Sequence, residues 1–203
     1  MKNSILIFLL TTSLLWTSCK KETETPPPAP PETEVLPAYD STLYEFNYSF
    51  FPNPNIPDDN KLRVEAVKLG RMLFYENMLS RDGSQNCGSC HRQKHAFSDT
   101  NTFSIGVDGF PGGRQAMAVF NMAWNTNEFF WDGRAHLLRD QALLPIQDEL
   151  EMKETLEGVV NKLEKDPMYR DQFSRAFGTK EITPFRISLA LEQFMNSIVS
   201  YDS

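Results

Sequence analysis

The stretch Cys87-Gly88-Ser89-Cys90-His91, in the middle of a 203-residue chain, decides how the rest of the sequence is read. Two cysteines three positions apart with a histidine directly after them have the C-x-x-C-H form of covalent c-type haem attachment. The chemistry sets the spacing. Two thiols add across the two vinyl groups on one porphyrin edge, and the histidine turns back to bind the iron from one side. On this reading Cys87 and Cys90 attach a single haem c, and His91 is its proximal iron ligand. Two other readings compete for the same residues. A redox C-x-x-C is expected beside a βαβ unit, for which the sequence shows no pattern. A zinc site built from Cys87, Cys90 and His95 lacks a clear fourth ligand, because His91 follows Cys90 too closely to reach the same ion and only the distant His136 is left.

What such an iron does depends on its other face. A sixth protein ligand makes an electron carrier, and an open site beside an acid or base makes a catalyst. His95, His136, Met117, Met122 and Met152 are the candidate ligands. Met117 and Met122 lie in an apolar stretch, where methionine is commonly core. His95, four residues past His91, reads as a surface residue or one facing a haem propionate.

Around the motif, seven of the ten glycines fall between Gly83 and Gly133, as in loops wrapped about a chemical centre. Helical patterns flank that loop region. Leu62, Ala66, Leu69 and Leu73 share one helical face from about Asp58 to Leu79. Residues 135–144 form a second candidate helix, and Leu156, Val159, Val160 and Leu163 mark a third. Asp166-Pro167 and Thr183-Pro184 are N-cap and first-turn proline signals for two more, the last carrying Ile187, Leu191, Phe194 and Ile198. Residues 44–51 (YEFNYSFF) alternate aromatic and polar side chains, which suits an extended strap on an apolar surface or, alternatively, an aromatic binding platform. With no sheet pattern and no repeat, the fold class is all-α with long loops.

The chain is acidic, with 20 Lys and Arg against 27 Asp and Glu, and has no basic cluster. Nucleic acid is therefore not an expected partner, since phosphate contacts need concentrated positive charge. The first 18 residues read as a signal peptide: Lys2, apolar runs over 5–10 and 14–16, then Thr17-Ser18-Cys19. Small residues before a cysteine resemble a bacterial lipoprotein cleavage site with Cys19 acylated. The alternative is an ordinary signal in which Cys19 is incidental. Residues 20–38 hold six of the 13 prolines and read as a spacer. The expected organisation is a signal over 1–18, a lipidated cysteine and linker over 19–43, and a haem domain over 44–203. The expected location is the cell envelope, periplasmic side, anchored by lipid.

Several blocks extend the haem motif: Leu69-Gly70-Arg71-Met72-Leu73-Phe74, Leu79-Ser80, Ala96-Phe97-Ser98-Asp99, Phe130-Trp131-Asp132-Gly133-Arg134-Ala135, Gln141 with Pro145-Ile146, and Glu151-Met152. In this order they resemble the bacterial dihaem cytochrome c peroxidase family, including its methylamine-dehydrogenase-maturing relatives, from about residue 50 onward. The resemblance implies a cytochrome c-like helical domain carrying the haem at which peroxide reacts. It makes Glu151 the distal acid/base, Gln141 the distal amide and Trp131 an indole packed between this haem and a second one. These roles are chemically sound. Heterolysis of peroxide needs a proton moved from one peroxide oxygen to the other, which a carboxylate can relay, and an amide can orient peroxide and stabilise developing charge. Without the resemblance, Glu151 reads as one of several solvated acids and Trp131 as core.

The resemblance further implies hydrogen peroxide as substrate, electrons from a small cytochrome c or cupredoxin, and a homodimer. Two departures stand out. Many relatives carry a distal histidine where this chain has Val107, so a five-coordinate or water-ligated iron is expected. Relatives also have an asparagine near Arg114-Gln115 that helps hold calcium, and Gln115 weakens that expectation. No second C-x-x-C-H is present, which suggests a fragment of a dihaem enzyme. The alternatives are a monohaem electron-transfer cytochrome and an oxidase acting on a protein substrate.

Overall fold

A computed structural model describes residues 35–48 and 51–201. The signal-like segment, Cys19 and most of the proline-rich spacer lie outside the described residues. The described part holds six α-helices: α1 (Val64–Phe74), α2 (Cys87–Cys90), α3 (Leu138–Gln147), α4 (Leu156–Leu163), α5 (Pro167–Phe177) and α6 (Pro184–Ser197). Single 3-10 turns occur at Asn77–Leu79, Gln93–His95 and Met122–Trp124. β-structure among the described residues is limited to isolated bridges such as Leu43 with Arg63 and Phe129 with Ala135. The helical class with long loops is therefore the observed one.

The cap signals in the sequence act locally. Asp166 accepts from the Met168 N–H and Thr183 from the Arg186 N–H, each followed by a first-turn proline that needs no partner for its nitrogen. α5 stops at Gly178, whose φ of 74° lets its N–H return to the Ser174 carbonyl. α1 is shorter than its periodicity suggests, beginning at Val64 and ending at Phe74. Beyond Tyr75 the Glu76 carboxylate accepts from the Met78 N–H, and the chain turns into the 3-10 segment instead of continuing. α3 likewise starts at Leu138, because Ala135 is held in its bridge to Phe129.

α1 and α6 cross at the centre of the core, with Leu69, Leu73 and Phe74 buried alongside Ala190, Leu191 and Phe194. The crossing is close because position 70 has no side chain. A Cβ there would sit 1.9 Å from the Ala190 carbonyl oxygen, a backbone atom that cannot move aside alone. Gly70→Ala is expected to cost about 1–3 kcal/mol of stability by forcing these helices apart. A lowered urea midpoint with unchanged m-value would register this, and an unchanged midpoint would contradict it.

A buried polar network ties α3 to α6. Glu192 is 1% exposed and accepts from Asn60 Nδ2 at 2.7 Å, and its carboxylate lies 3.0 Å from Arg139 Nε. Arg139 also forks onto Asp59 with bonds of 2.9 and 2.8 Å. Gln193 completes the set, giving to Asn60 and accepting from the Arg63 N–H. A buried carboxylate needs such company, since an unpaired one would cost several kcal/mol.

Residues 37–42 pack into the same compact unit as the helices. Pro37 accepts from the Ser174 hydroxyl, the Asp40 N–H donates to Arg175, and Thr42 accepts from the Val64 N–H. Farther on, Tyr44 and Phe46 pack on the core, and the rings of Phe46, Tyr48 and Phe51 gather around Trp124. These residues form a packed strap.

Candidate haem site

Loop residues, with side chains of α1, α3 and α6, line a cavity of about 890 Å³, within the ~300–1,000 Å³ typical of cofactor sites. Cys87, Cys90, His91, Trp131, Gln141 and Glu151 all line it. Residues from four separated segments thus meet at one place, while Cys19 lies outside the described residues.

The motif occupies the single turn α2. The Asn86 N–H donates to Ser89 Oγ at 3.1 Å and the His91 N–H returns to the Cys87 carbonyl at 2.9 Å, so both thiols are presented from one turn. The Tyr75 ring packs directly on the backbone between them, where a Cβ on Gly88 would lie 2.6 Å from the ring. Burial pushes the Cys87 thiol up to about 12 and raises Cys90 as well. A disulfide-exchange motif needs the opposite shift. Among the described residues no group of three or more His, Cys, Asp or Glu side chains is placed to hold a metal ion, so the zinc reading loses its ligand set.

His91 is oriented from behind. Its Nδ1 lies 3.1 Å from the Phe97 carbonyl oxygen, which can only accept, so the ring proton sits on Nδ1 and the Nε2 lone pair is available to iron. Burial lowers the His91 pKa and favours this neutral, ligating form, against the opposing pull of the Phe97 and Met117 carbonyls. The Phe97 carbonyl reaches His91 because Ala96 and Phe97 adopt left-handed φ of 56° and 54° in succession. The same oxygen accepts from the Val119 N–H at 3.1 Å. The sequence carried no sign of this bend, since neither residue is one that favours positive φ.

Across the cavity, Gln141 projects from α3. Pro145, one turn later, also lines the cavity and has no N–H to give to the Gln141 carbonyl. The chain leaving α3 folds back on it, with the Met152 N–H on the Pro145 carbonyl at 3.2 Å and the Glu154 N–H on Ile146 at 2.8 Å. This return places Glu151 at the cavity, with Leu150 beside it at the rim, while Glu149 faces outward. The description of Glu151 as one of several solvated acids therefore fails. Burial first, then the neighbouring Asp148, hold the Glu151 carboxyl above the ordinary glutamate range, with Arg134 pulling the other way.

Trp131 sits at the rim. It is 62% exposed, so it is not core, and its indole N–H donates to the Gln115 carbonyl at 3.0 Å. The turn bearing it bends at Phe130 and Gly133, both with positive φ. Asp132 accepts from Arg114 at 2.6 Å and Arg134 at 2.9 Å, which holds its carboxyl down at about 2. Arg134 lies 3.5 Å over the Phe130 ring, and both arginines line the cavity. Gln115 uses its side-chain amide on the Asp99 carbonyl at 3.1 Å.

Of the candidate sixth ligands, Met117, Met122 and Met152 line the cavity, whereas His95 and His136 are not among the described residues that do. His136 points to solvent, its side chain 82% exposed and paired with Glu128. Val107 contributes its N–H to the Glu151 carbonyl at 3.0 Å. The cavity's size, two free thiols on one turn and a histidine with its iron-binding nitrogen available together fit a covalent haem.

Comparison with known proteins points the same way. Residues 64–203 match the family model described as di-haem cytochrome c peroxidase. The methylamine utilization protein MauG of Methylophilus methylotrophus is 37% identical over 144 residues, covering 71% of this chain and 43% of that protein. A cytochrome c551 peroxidase of Nitrosomonas europaea is 38% identical over 137 residues, covering 68% of this chain and 41% of its own length. A crystal structure of a MauG-like protein associated with microbial copper homeostasis superposes with a TM-score of 0.71 at 31% identity, over 78% of this chain and 48% of that one. The chain thus spans about two-fifths of the length of the curated relatives it matches.

Proposed function

Since the chain belongs to the di-haem cytochrome c peroxidase family, we propose that it carries the peroxide-reducing site of such an enzyme, converting hydrogen peroxide, two electrons and two protons to two waters. The observation that carries this reading is the meeting of Cys87, Cys90 and His91 with Glu151 and Gln141 on one cavity. Cys87 and Cys90 would hold haem c covalently, and His91 would ligate its iron through Nε2. When bound, the haem supplies the electrons and the Lewis-acidic centre for O–O cleavage. Glu151 accepts the proton of one peroxide oxygen and returns it to the other, a task suited to a carboxyl whose pKa lies above its ordinary range. Gln141 orients peroxide with its amide and stabilises charge as the bond breaks. Trp131, at the rim, is the group through which electrons from a second haem would enter. The ultimate donor in this reading is a small cytochrome c or cupredoxin.

The lipid anchor at Cys19 and a periplasmic location belong to the same proposal, supported by the apolar segment before Cys19 and by the need of C-x-x-C-H proteins to receive haem outside the cytoplasm. The homodimer and calcium rest on family resemblance alone.

Met117 and Met122 on the cavity wall favour one second reading, a monohaem electron carrier with a sulfur ligand. Electronic and EPR spectra separate the two. The ferric protein is expected to be high-spin, five-coordinate or water-ligated, and to turn over peroxide with a reduced cytochrome donor. A purely low-spin iron with nitrogen or sulfur on both faces, inert to peroxide, would establish the electron carrier.

A further inference from the structure

Residues 105–111 form a small hairpin, bridged between Ile105 and Pro111 and turned at Gly109, which has φ of 78°. It lies directly on the return loop that carries Glu151. The two backbones touch without an intervening side chain, since a Cβ on Gly106 would fall 2.1 Å from the Leu150 carbonyl oxygen. One residue on, the Val107 N–H donates to the Glu151 carbonyl at 3.0 Å. A third strand of chain is laced in, because the Arg81 N–H donates to the Met152 carbonyl at 3.0 Å and Gln85 Nε2 to the Ile105 carbonyl at 2.7 Å. Glu151 is thus flanked by backbone contacts on both of its neighbours and on itself.

Asp108 closes this arrangement. Its carboxylate accepts from Lys153 Nζ at 3.0 Å, two residues past Glu151, and pairs through its other oxygen with the Arg81 guanidinium. Lys153 is itself in the left-handed region at φ 49° and pairs with Glu149 at 2.9 Å. An isolated exposed ion pair is worth little. Here one carboxylate joins cations from two separate segments, and the backbone hydrogen bonds between those segments run beside it. The two cations hold the Asp108 carboxyl below the usual carboxylate range, so it stays charged at neutral pH.

We propose that Asp108 is a positioning residue, which clamps the 105–111 hairpin onto the 148–153 loop and thereby fixes the backbone from which the Glu151 side chain meets the cavity. The clamp is independent of any iron ligand, and it gives the hairpin a function at the position where Val107 offers no side chain to the metal. The effect on chemistry rests on the assignment of Glu151 as the acid/base.

The test uses the haem-loaded protein and the variants Asp108→Asn, Glu151→Gln and the two combined. Amide hydrogen exchange reads the clamp itself. Exchange at Val107 and Arg81 is expected to quicken by about tenfold in Asp108→Asn, with the melting transition still cooperative. Gly106→Ala, which parts the same backbones without removing a charge, is expected to do likewise. Stopped-flow mixing with hydrogen peroxide reads the consequence. Asp108→Asn is expected to slow the reaction about tenfold in the Glu151 protein and to have no effect in the Glu151→Gln background, the non-additivity of a residue acting through another. Unchanged exchange in Asp108→Asn would overturn the clamp. Equal slowing in both backgrounds would overturn the positioning of Glu151. A Glu151→Gln protein with its full rate would instead remove the acid/base assignment, and the exchange measurement would still decide whether the clamp exists.

Discussion

Glu151→Gln is expected to slow peroxide reduction by about 10²–10³-fold, the usual contribution of a positioned acid/base, while covalent haem attachment is retained. Glutamine keeps the shape and the acceptor oxygen but cannot take up a proton. The pH dependence gives the sign. Glu151 must be ionised to accept the peroxide proton, and burial holds its carboxyl above the ordinary range. The rate should therefore fall as pH drops through that raised pKa, an acid limb above the usual glutamate range, and the limb should vanish in the variant. Stability moves the other way. A carboxyl that holds its proton more tightly when folded loses stability as pH rises from the unfolded to the folded pKa, and the loss persists above it. The Glu151→Gln substitution should thus leave the neutral-pH melting temperature equal or higher. Full turnover by the variant, or an unmoved acid limb, would count against the assignment.

Loss of the haem should affect the fold as strongly as the chemistry. In Cys87→Ala/Cys90→Ala no thioether can form, and a denaturing gel stained for haem should show none. The cavity of about 890 Å³ then has nothing to fill it. At about 24 cal/mol per Å³ of unfilled apolar space, an upper bound of ~20 kcal/mol would be needed to hold the walls apart. That exceeds the ~5–15 kcal/mol by which domains of this kind are stable. The walls must close or flood, and Phe74, Leu138, Leu191 and Met195, which line the cavity as well as the core, should lose their packing. Far-UV circular dichroism should persist in part while near-UV signal and cooperative melting are lost. A double variant that melts cooperatively near the temperature of the haem-loaded protein would refute this.

How much of this was legible beforehand follows from what each residue depends on. The haem reading of Cys87, Cys90 and His91 rests on spacing alone, because attachment to two vinyl groups of one porphyrin edge sets that spacing. α5 and α6 could be read from Asp166-Pro167 and Thr183-Pro184, whose caps act over two or three residues. Glu151 was named through family resemblance alone, since its burial depends on a return loop held to Pro145, Ile146 and Val107. The Arg139–Glu192 network joins residues 53 apart, and the Asp108–Lys153 pair joins residues 45 apart. No local pattern records such partners. The end of α1 was misplaced because Glu76 competes for backbone near it, an effect that hydrophobic periodicity does not register.

The bend at Ala96 and Phe97 has a thermodynamic corollary. Two successive left-handed non-glycine residues cost about 1–2 kcal/mol each, set against the backbone hydrogen bonds of the bend and a carbonyl aimed at His91. In the proposed haem-bound state, iron coordination by His91 and this bend form a linked equilibrium. Whatever free energy the iron–histidine bond draws from a pre-aimed imidazole, it returns by holding a backbone that would otherwise relax, and the coupling has the same magnitude in both directions. Weakening ligation at the metal should loosen residues 96–98, and easing the bend, as with glycine at position 96, should free the imidazole to turn.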